Sequence, residues 1–89
     1  VELENTKIEL MEPYGKDSPI KKFLEKNPAG GMHHICLEVS DIQKSLENLN
    51  NKKVTILGTG KPTKGSHNKP ILFLHPKEFC GTLIELEEE

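Results

Sequence analysis

Eighty-nine residues are enough for one small domain with one modest core. A formal net charge of −2 withholds the basic face that a nucleic-acid partner demands, and three Phe, one Tyr and no Trp argue against stacking on bases. No apolar run approaches the length of a membrane span; the longest, Pro70 to Leu74, has the length of a buried strand.

The chain opens on Val1-Glu2-Leu3-Glu4, a strand-like segment with no initiator Met and no targeting sequence, as expected of a fragment or a processed chain. Lys7 to Met11 is expected to be a strand with Ile8 and Leu10 on one face, ended by Pro13 and Gly15. Ser18 as cap and Pro19 at the first helical position then start a helix, along which Ile20, Phe23 and Leu24 recur at helical spacing. Asn27-Pro28 and Gly30-Gly31 stop it. Met32 to Val39 alternates as a strand: His33, Ile35, Leu37 and Val39 share the face expected to meet the core, and Met32, His34, Cys36 and Glu38 share the other.

Ser40-Asp41-Ile42-Gln43 has the pattern of a capping box, and the helix it opens carries Ile42, Leu46 and Leu49 as its apolar stripe up to Asn50-Asn51. Val54 to Leu57 is expected as a short strand, 58–69 as a polar loop rich in Gly and Lys, and Ile71 to His75 as a strand. Thr82 to Glu87 is expected as the last strand, with Glu87-Glu88-Glu89 as a solvated end. From Met32 the order is thus β-α-β-β-β. Cys36 and Cys80 lie far apart in strand-like surroundings and are expected to be free thiols.

Glu9, His34 and Glu85 each interrupt an otherwise apolar strand, so each side chain points away from the face expected to pack. For any one of them alone, a solvated sheet face is explanation enough. Carboxylates and an imidazole converging from different strands would instead suit a divalent transition metal, and of the adjacent His33 and His34 only one can face such a site. The phrase Ile-Glu-Leu occurs twice, at Ile8-Glu9-Leu10 and Ile84-Glu85-Leu86, each time closing a strand-rich block.

The segment Gly30-Gly31-Met32-His33-His34-Ile35-Cys36 resembles the signature strand of the methylmalonyl-CoA epimerases, enzymes of the vicinal oxygen chelate superfamily. Asn5-Thr6-Lys7-Ile8-Glu9-Leu10, Asp17-Ser18-Pro19-Ile20, Phe23-Leu24, Phe73-Leu74-His75-Pro76-Lys77 and Leu83-Ile84-Glu85-Leu86-Glu87 extend the resemblance over essentially the whole chain. It implies an α+β, glyoxalase-like fold of two βαβββ modules forming a cup around one divalent metal. Residues 1–31 would be the end of the first module and a linking helix. Residues 32–89 would be the complete second module, both parts belonging to a single domain.

The same resemblance places Glu9, His34 and Glu85 at metal-ligand positions, with Glu85 also beside the reacting carbon as a catalytic acid–base. It places a fourth ligand, a His, and a second catalytic Glu on strands preceding Val1. The implied reaction interconverts the R and S epimers of methylmalonyl-CoA: one carboxylate removes a proton from the carbon between thioester and carboxylate, another returns it on the opposite face, and a divalent ion such as cobalt, zinc or manganese stabilises the enolate. The family works in bacterial cytoplasm or the mitochondrial matrix.

Lys61 and Lys64 are weaker candidates for coenzyme A phosphates and His75 for a substrate contact, although a solvated basic loop accounts better for such lysines and a structural or surface role for the histidine. The order Gly60-Lys61-Pro62-Thr63 does not make a phosphate-binding P-loop. A glyoxalase-type lyase, or a metal- or ligand-binding module of the same fold without catalysis, are the alternatives. Pairing of two chains into a homodimer is expected because an open sheet edge invites a partner.

Overall fold

The computed structural model describes all 89 residues, which form two compact units, Val1–Gly31 and Met32–Glu89. The first unit begins with a tight turn. Val1 and Ile8 exchange backbone hydrogen bonds of 2.8 Å, and the Leu3 N–H donates to the Thr6 carbonyl at 2.7 Å. Glu2 and Lys7 form an isolated antiparallel bridge there. The strand expected over Lys7 to Met11 does not form beyond this bridge. A ladder needs a second segment to hydrogen-bond with, and within the unit only Val1–Leu3 serves, so Glu9, Leu10 and Met11 remain irregular and exposed.

Helix α1 spans Pro19–Lys26, as its cap sequence predicts: Ser18 is extended and its Oγ accepts from the Ile20 N–H at 3.3 Å. Asn27 closes it twice over, donating to the Phe23 carbonyl from its backbone N–H at 2.9 Å and from its side-chain amide at 3.0 Å. Ile20, Phe23 and Leu24 are half-buried and none is fully covered.

The second unit is a four-stranded sheet with one helix. Its strands are β1 (His34–Val39), β2 (Thr63–Lys64), β3 (Pro70–Leu74) and β4 (Leu83–Glu88), and helix α2 spans Ile42–Asn51 between β1 and β2. The spatial order is β1-β4-β3-β2; β1 runs parallel to β4, and the other neighbours are antiparallel. Strand alternation sorts the side chains into two faces. The rows Ile35–Ile84–Leu74 and Leu37–Leu86–Leu72 lie on the helix side, whereas Cys36–Glu85–Phe73 and Glu38–Glu87–Ile71 lie on the opposite, open face.

Helix α2 lies over β3 and β4, and its Ile42 and Leu46 close a core with Leu72, Leu74, Ile84 and Leu86. The expectation that Ile35 and Leu37 enter this core therefore needs correction. They stand on the correct face, but on an edge strand beyond the helix's cover, and remain 41% and 51% exposed.

The cap of α2 is Asp41 rather than Ser40: its Oδ1 accepts from the Lys44 N–H at 3.1 Å. Glu88 adds a second acceptor, its Oε2 lying 3.3 Å from the Ile42 N–H, so a carboxylate from β4 meets the positive end of the helix. At the other end the Val54 N–H bonds the Leu49 carbonyl and the Lys53 N–H bonds the Asn50 carbonyl, with Lys53 left-handed at φ +60°. That pair of bonds is a Schellman closure with Lys in the place where Gly is favoured.

Val54 to Leu57 falls short of a strand. Ile56 bridges Leu74 alone, flanked by the Leu57 N–H to Phe73 carbonyl and His75 N–H to Thr55 carbonyl bonds. The expected loop 58–69 holds β2 instead, whose Thr63 and Lys64 pair with Ile71 and Pro70.

Candidate metal and acid–base site

The open face of the sheet brings His34 and Glu85 together. His34 begins β1, Glu85 is central in β4, and the parallel register sets Cys36 directly beside Glu85, so His34 reaches it diagonally from one row away. The His34 Nε2 lies 3.1 Å from Glu85 Oε1, with only 20% and 13% of the two side chains exposed. The other ring nitrogen, Nδ1, lies 2.9 Å from His33 Nδ1. The ring of Phe73, two strands away, meets that of His34 edge to face at 6.3 Å between centroids.

An imidazole nitrogen and a carboxylate oxygen suit a first-row divalent ion in type. They suit it in spacing too: donors each about 2.1 Å from such an ion stand roughly 3.0–3.4 Å apart when adjacent in octahedral or tetrahedral coordination. His34 and Glu85 at 3.1 Å therefore fit as two neighbouring ligands. No group of three His, Cys, Asp or Glu side chains is gathered into a potential metal site. Glu9 belongs to the first unit, in an irregular exposed segment. His33 has its pKa lowered from the usual 6.5, first by desolvation and then by the neighbouring His34, both of which disfavour the imidazolium.

His75 has a local role at the end of β3. It caps the 3₁₀ turn Pro76–Glu78, its Nδ1 accepting from the Lys77 N–H at 3.0 Å. Lys61 is exposed in the loop before β2. Lys64 is exposed on β2 opposite Pro70, so alternation puts it on the helix side with Leu72 and Leu74 and away from the face of His34 and Glu85.

The C-terminal acidic run is not the solvated end that its composition suggests. Glu87 is only 7% exposed, on the same face as Glu85, and its Oε2 lies 2.9 Å from His67 Nδ1. The contact ties the turn before β3 to β4. Gly65 in the same turn leaves no room for a side chain, since a Cβ there would come within 2.7 Å of Ile71 Cγ2. The period-2 pattern running on from Glu85 was the available signal for Glu87, and its position in an acidic tail obscured it. Cys36 and Cys80 form no disulfide, and both are exposed.

This sheet, wrapped on one side by a single helix and bearing its ionisable pair on the other, is that of a large protein superfamily. The family described as the Glyoxalase/Bleomycin resistance protein/Dioxygenase superfamily matches residues 1–73, and the chain belongs to it. Within that class the similarity is to methylmalonyl-CoA epimerases. The ethylmalonyl-CoA/methylmalonyl-CoA epimerase of Cereibacter sphaeroides is 57% identical over 88 residues, covering 99% of this chain and 66% of that protein. The mitochondrial methylmalonyl-CoA epimerase of Dictyostelium discoideum is 55% identical over 89 residues, 100% of this chain and 53% of that protein.

Among solved structures, a methylmalonyl-CoA epimerase in complex with methylmalonyl-CoA and NH4+ superposes with a TM-score of 0.75 at 37% identity, over 88% of this chain and 53% of that one. The chain thus spans between about half and two thirds of the length of these relatives.

Proposed function

We propose that this chain is part of a methylmalonyl-CoA epimerase and supplies one acid–base group and two metal ligands to its site. The observation that carries the reading is the contact of His34 Nε2 with Glu85 Oε1 at 3.1 Å on the open face of the sheet. It gains weight from 57% and 55% identity to proteins named for that activity. Residues 1–31 would end one βαβββ module and 32–89 would form the next, with Glu9 as a further ligand from the first. Lys61 stays a candidate for a coenzyme A phosphate; Lys64 and His75 are weaker, given their placement.

Inverting the carbon between a thioester and a carboxylate requires a proton to leave one face and another to arrive on the opposite one. Glu85 has two carboxylate oxygens, so one can face the ion while the other accepts or returns the proton. His34 and Glu85 would hold a divalent ion, which when bound supplies Lewis-acid stabilisation of negative charge developing on the thioester oxygen. Phe73, whose ring meets that of His34 edge to face, sets an apolar side chain beside the pair. The second acid, on the far side of that carbon, is assigned to the other module.

A second copy of this chain is the partner proposed for the outer edge of β1, where Ile35 and Leu37 stand half-exposed. Residence in the mitochondrial matrix or the bacterial cytoplasm is part of the same proposal, supported by the word mitochondrial in the name of the Dictyostelium relative; no helix is long and apolar enough to cross a membrane.

Deuterium uptake tests the activity. Methylmalonyl-CoA is incubated with the chain and cobalt in heavy water and then weighed by mass spectrometry. Metal-dependent gain of one mass unit at the epimerised carbon is the expected result. No gain, either from this chain or from a longer one that carries both modules, overturns the reading.

A further inference from the structure

We infer that His33 is a positioning residue for His34, a hydrogen-bonding partner that fixes which nitrogen of the ligand imidazole faces the ion. The inference rests on the reading of His34 and Glu85 as metal ligands and concerns a residue outside that ligand pair. The two Nδ1 atoms are 2.9 Å apart, a hydrogen-bond distance, and the rings meet nearly at right angles, 85° between planes. A bond between two imidazole nitrogens needs one proton and one lone pair.

With no ion and both rings in the neutral form, a His34 Nε2–H donating to Glu85 Oε1 leaves His34 Nδ1 to accept and His33 Nδ1–H to donate. An ion on His34 requires a bare Nε2, which moves the proton of that neutral ring to Nδ1. His34 then donates and His33 Nδ1 accepts, so the proton of His33 must sit on Nε2. Each ring loses a proton at one nitrogen and gains one at the other, and both stay neutral. His33 can follow His34 in this way because its imidazole both donates and accepts.

The partner nitrogen of a ligating His is ordinarily anchored by a carboxylate, a carbonyl or water, and loss of the anchor weakens metal affinity by about 10–100-fold. Here the anchor comes from the preceding residue, so one short segment delivers ligand and support together. Adjacent residues on a strand face opposite ways, yet His33 precedes the first residue of β1 and its ring is free of that alternation.

The test is a zinc titration by calorimetry on the whole chain, with wild type, His33→Ala, His33→Asn and His33→Leu compared. Long-range nitrogen–proton NMR of the imidazoles is recorded before and after zinc. His33→Ala and His33→Leu are expected to bind about 10–100-fold more weakly. His33→Asn, whose amide oxygen can accept near the position of Nδ1, is expected to recover most of that loss. In wild type the His33 proton is expected to pass from Nδ1 to Nε2 on zinc addition.

Equal affinity in the Leu variant, or an unchanged His33 NMR pattern in zinc-loaded wild type, overturns the positioning role while leaving the ligands in place. Wild type that binds no zinc, both as this chain and as a longer one carrying both modules, overturns the ligand reading and this inference with it. Should the Ala variant fail to fold, the Asn and Leu variants still decide between hydrogen bonding and bulk.

Discussion

In the proposed reaction the chemistry falls to Glu85 and His34, and removal of the Glu85 carboxylate has its own signature. In a protein carrying both modules, Glu85→Gln keeps the size and hydrogen-bonding capacity of the side chain but not its basicity. Proton exchange into methylmalonyl-CoA should fall by about 10²–10⁴-fold with the fold intact. Mass spectrometry of the substrate in heavy water measures it, and near-normal exchange would remove Glu85 from the acid–base role. His33 makes a different, pH-dependent contribution. Its pKa lies below 6.5 in the folded chain, because partial burial and the adjacent His34 disfavour its charged form.

The unfolded chain therefore binds more protons than the folded one between the lowered pKa and 6.5, and stability rises with pH through that interval. Metal-free chain should accordingly lose stability as pH falls below about 6.5, and His33→Asn should lose less. Urea unfolding midpoints of both proteins at pH 7.5 and pH 5 would show it as a larger fall for wild type than for the variant. Parallel curves for the two would rule this contribution out.

Among the elements, α2 makes the most specific demands. Lys53 occupies the left-handed position that ends the helix, at φ +60°. Lys53→Gly should stabilise the chain by about 0.5 kcal/mol, the relief of roughly 1 kcal/mol of steric cost less the extra freedom Gly gives the unfolded chain. Thermal unfolding detects it as a small rise in midpoint; a fall would mean that the lysine makes a contact worth more than the strain.

Leu72 tests the other side of the helix–sheet contact. It is among the most buried side chains, beside Leu86 on the neighbouring strand and in one core with Ile42 and Leu46 of α2. Leu72→Ala should cost about 2–5 kcal/mol, much of the stability of a domain this small. Denaturant unfolding would register it, and a loss under 1 kcal/mol would contradict the assigned core.

At the scale of the molecule, β1 is an edge strand whose apolar residues lie beyond the helix's cover. If a second copy occupies that edge, sedimentation at micromolar concentration should give twice the 10.0 kDa mass of one chain, and Leu37→Lys should return it to one. A strictly monomeric wild type would dismiss the pairing.

Much of this architecture was legible in the sequence for physical reasons that act locally. Ser18-Pro19 starts a helix because a cap oxygen and a fixed φ need no distant partner. Ile42 and Leu46 were recognisable as core because their spacing puts them on one helical face. The alternation of β1 and β4 put His34 and Glu85 opposite the packed side of their strands. The class of protein was likewise written in Gly30 to Cys36 and in the two Ile-Glu-Leu phrases.

What depends on distant segments was not legible. Lys7 to Met11 has the pattern of a strand, but a pattern cannot supply the second strand that its backbone groups require. Ile35 and Leu37 have the apolar character of core residues, but which strands the helix covers is settled by where α2 lands. Glu87 and Glu88 read as solvated tail, yet His67 claims one and the start of α2 the other, across 20 and 46 residues of chain. The sequence by itself determined the faces, the caps and the family. Only the tertiary structure decided which polar groups meet, because a hydrogen bond is made at about 3 Å between atoms whose separation along the chain carries no information about distance in space.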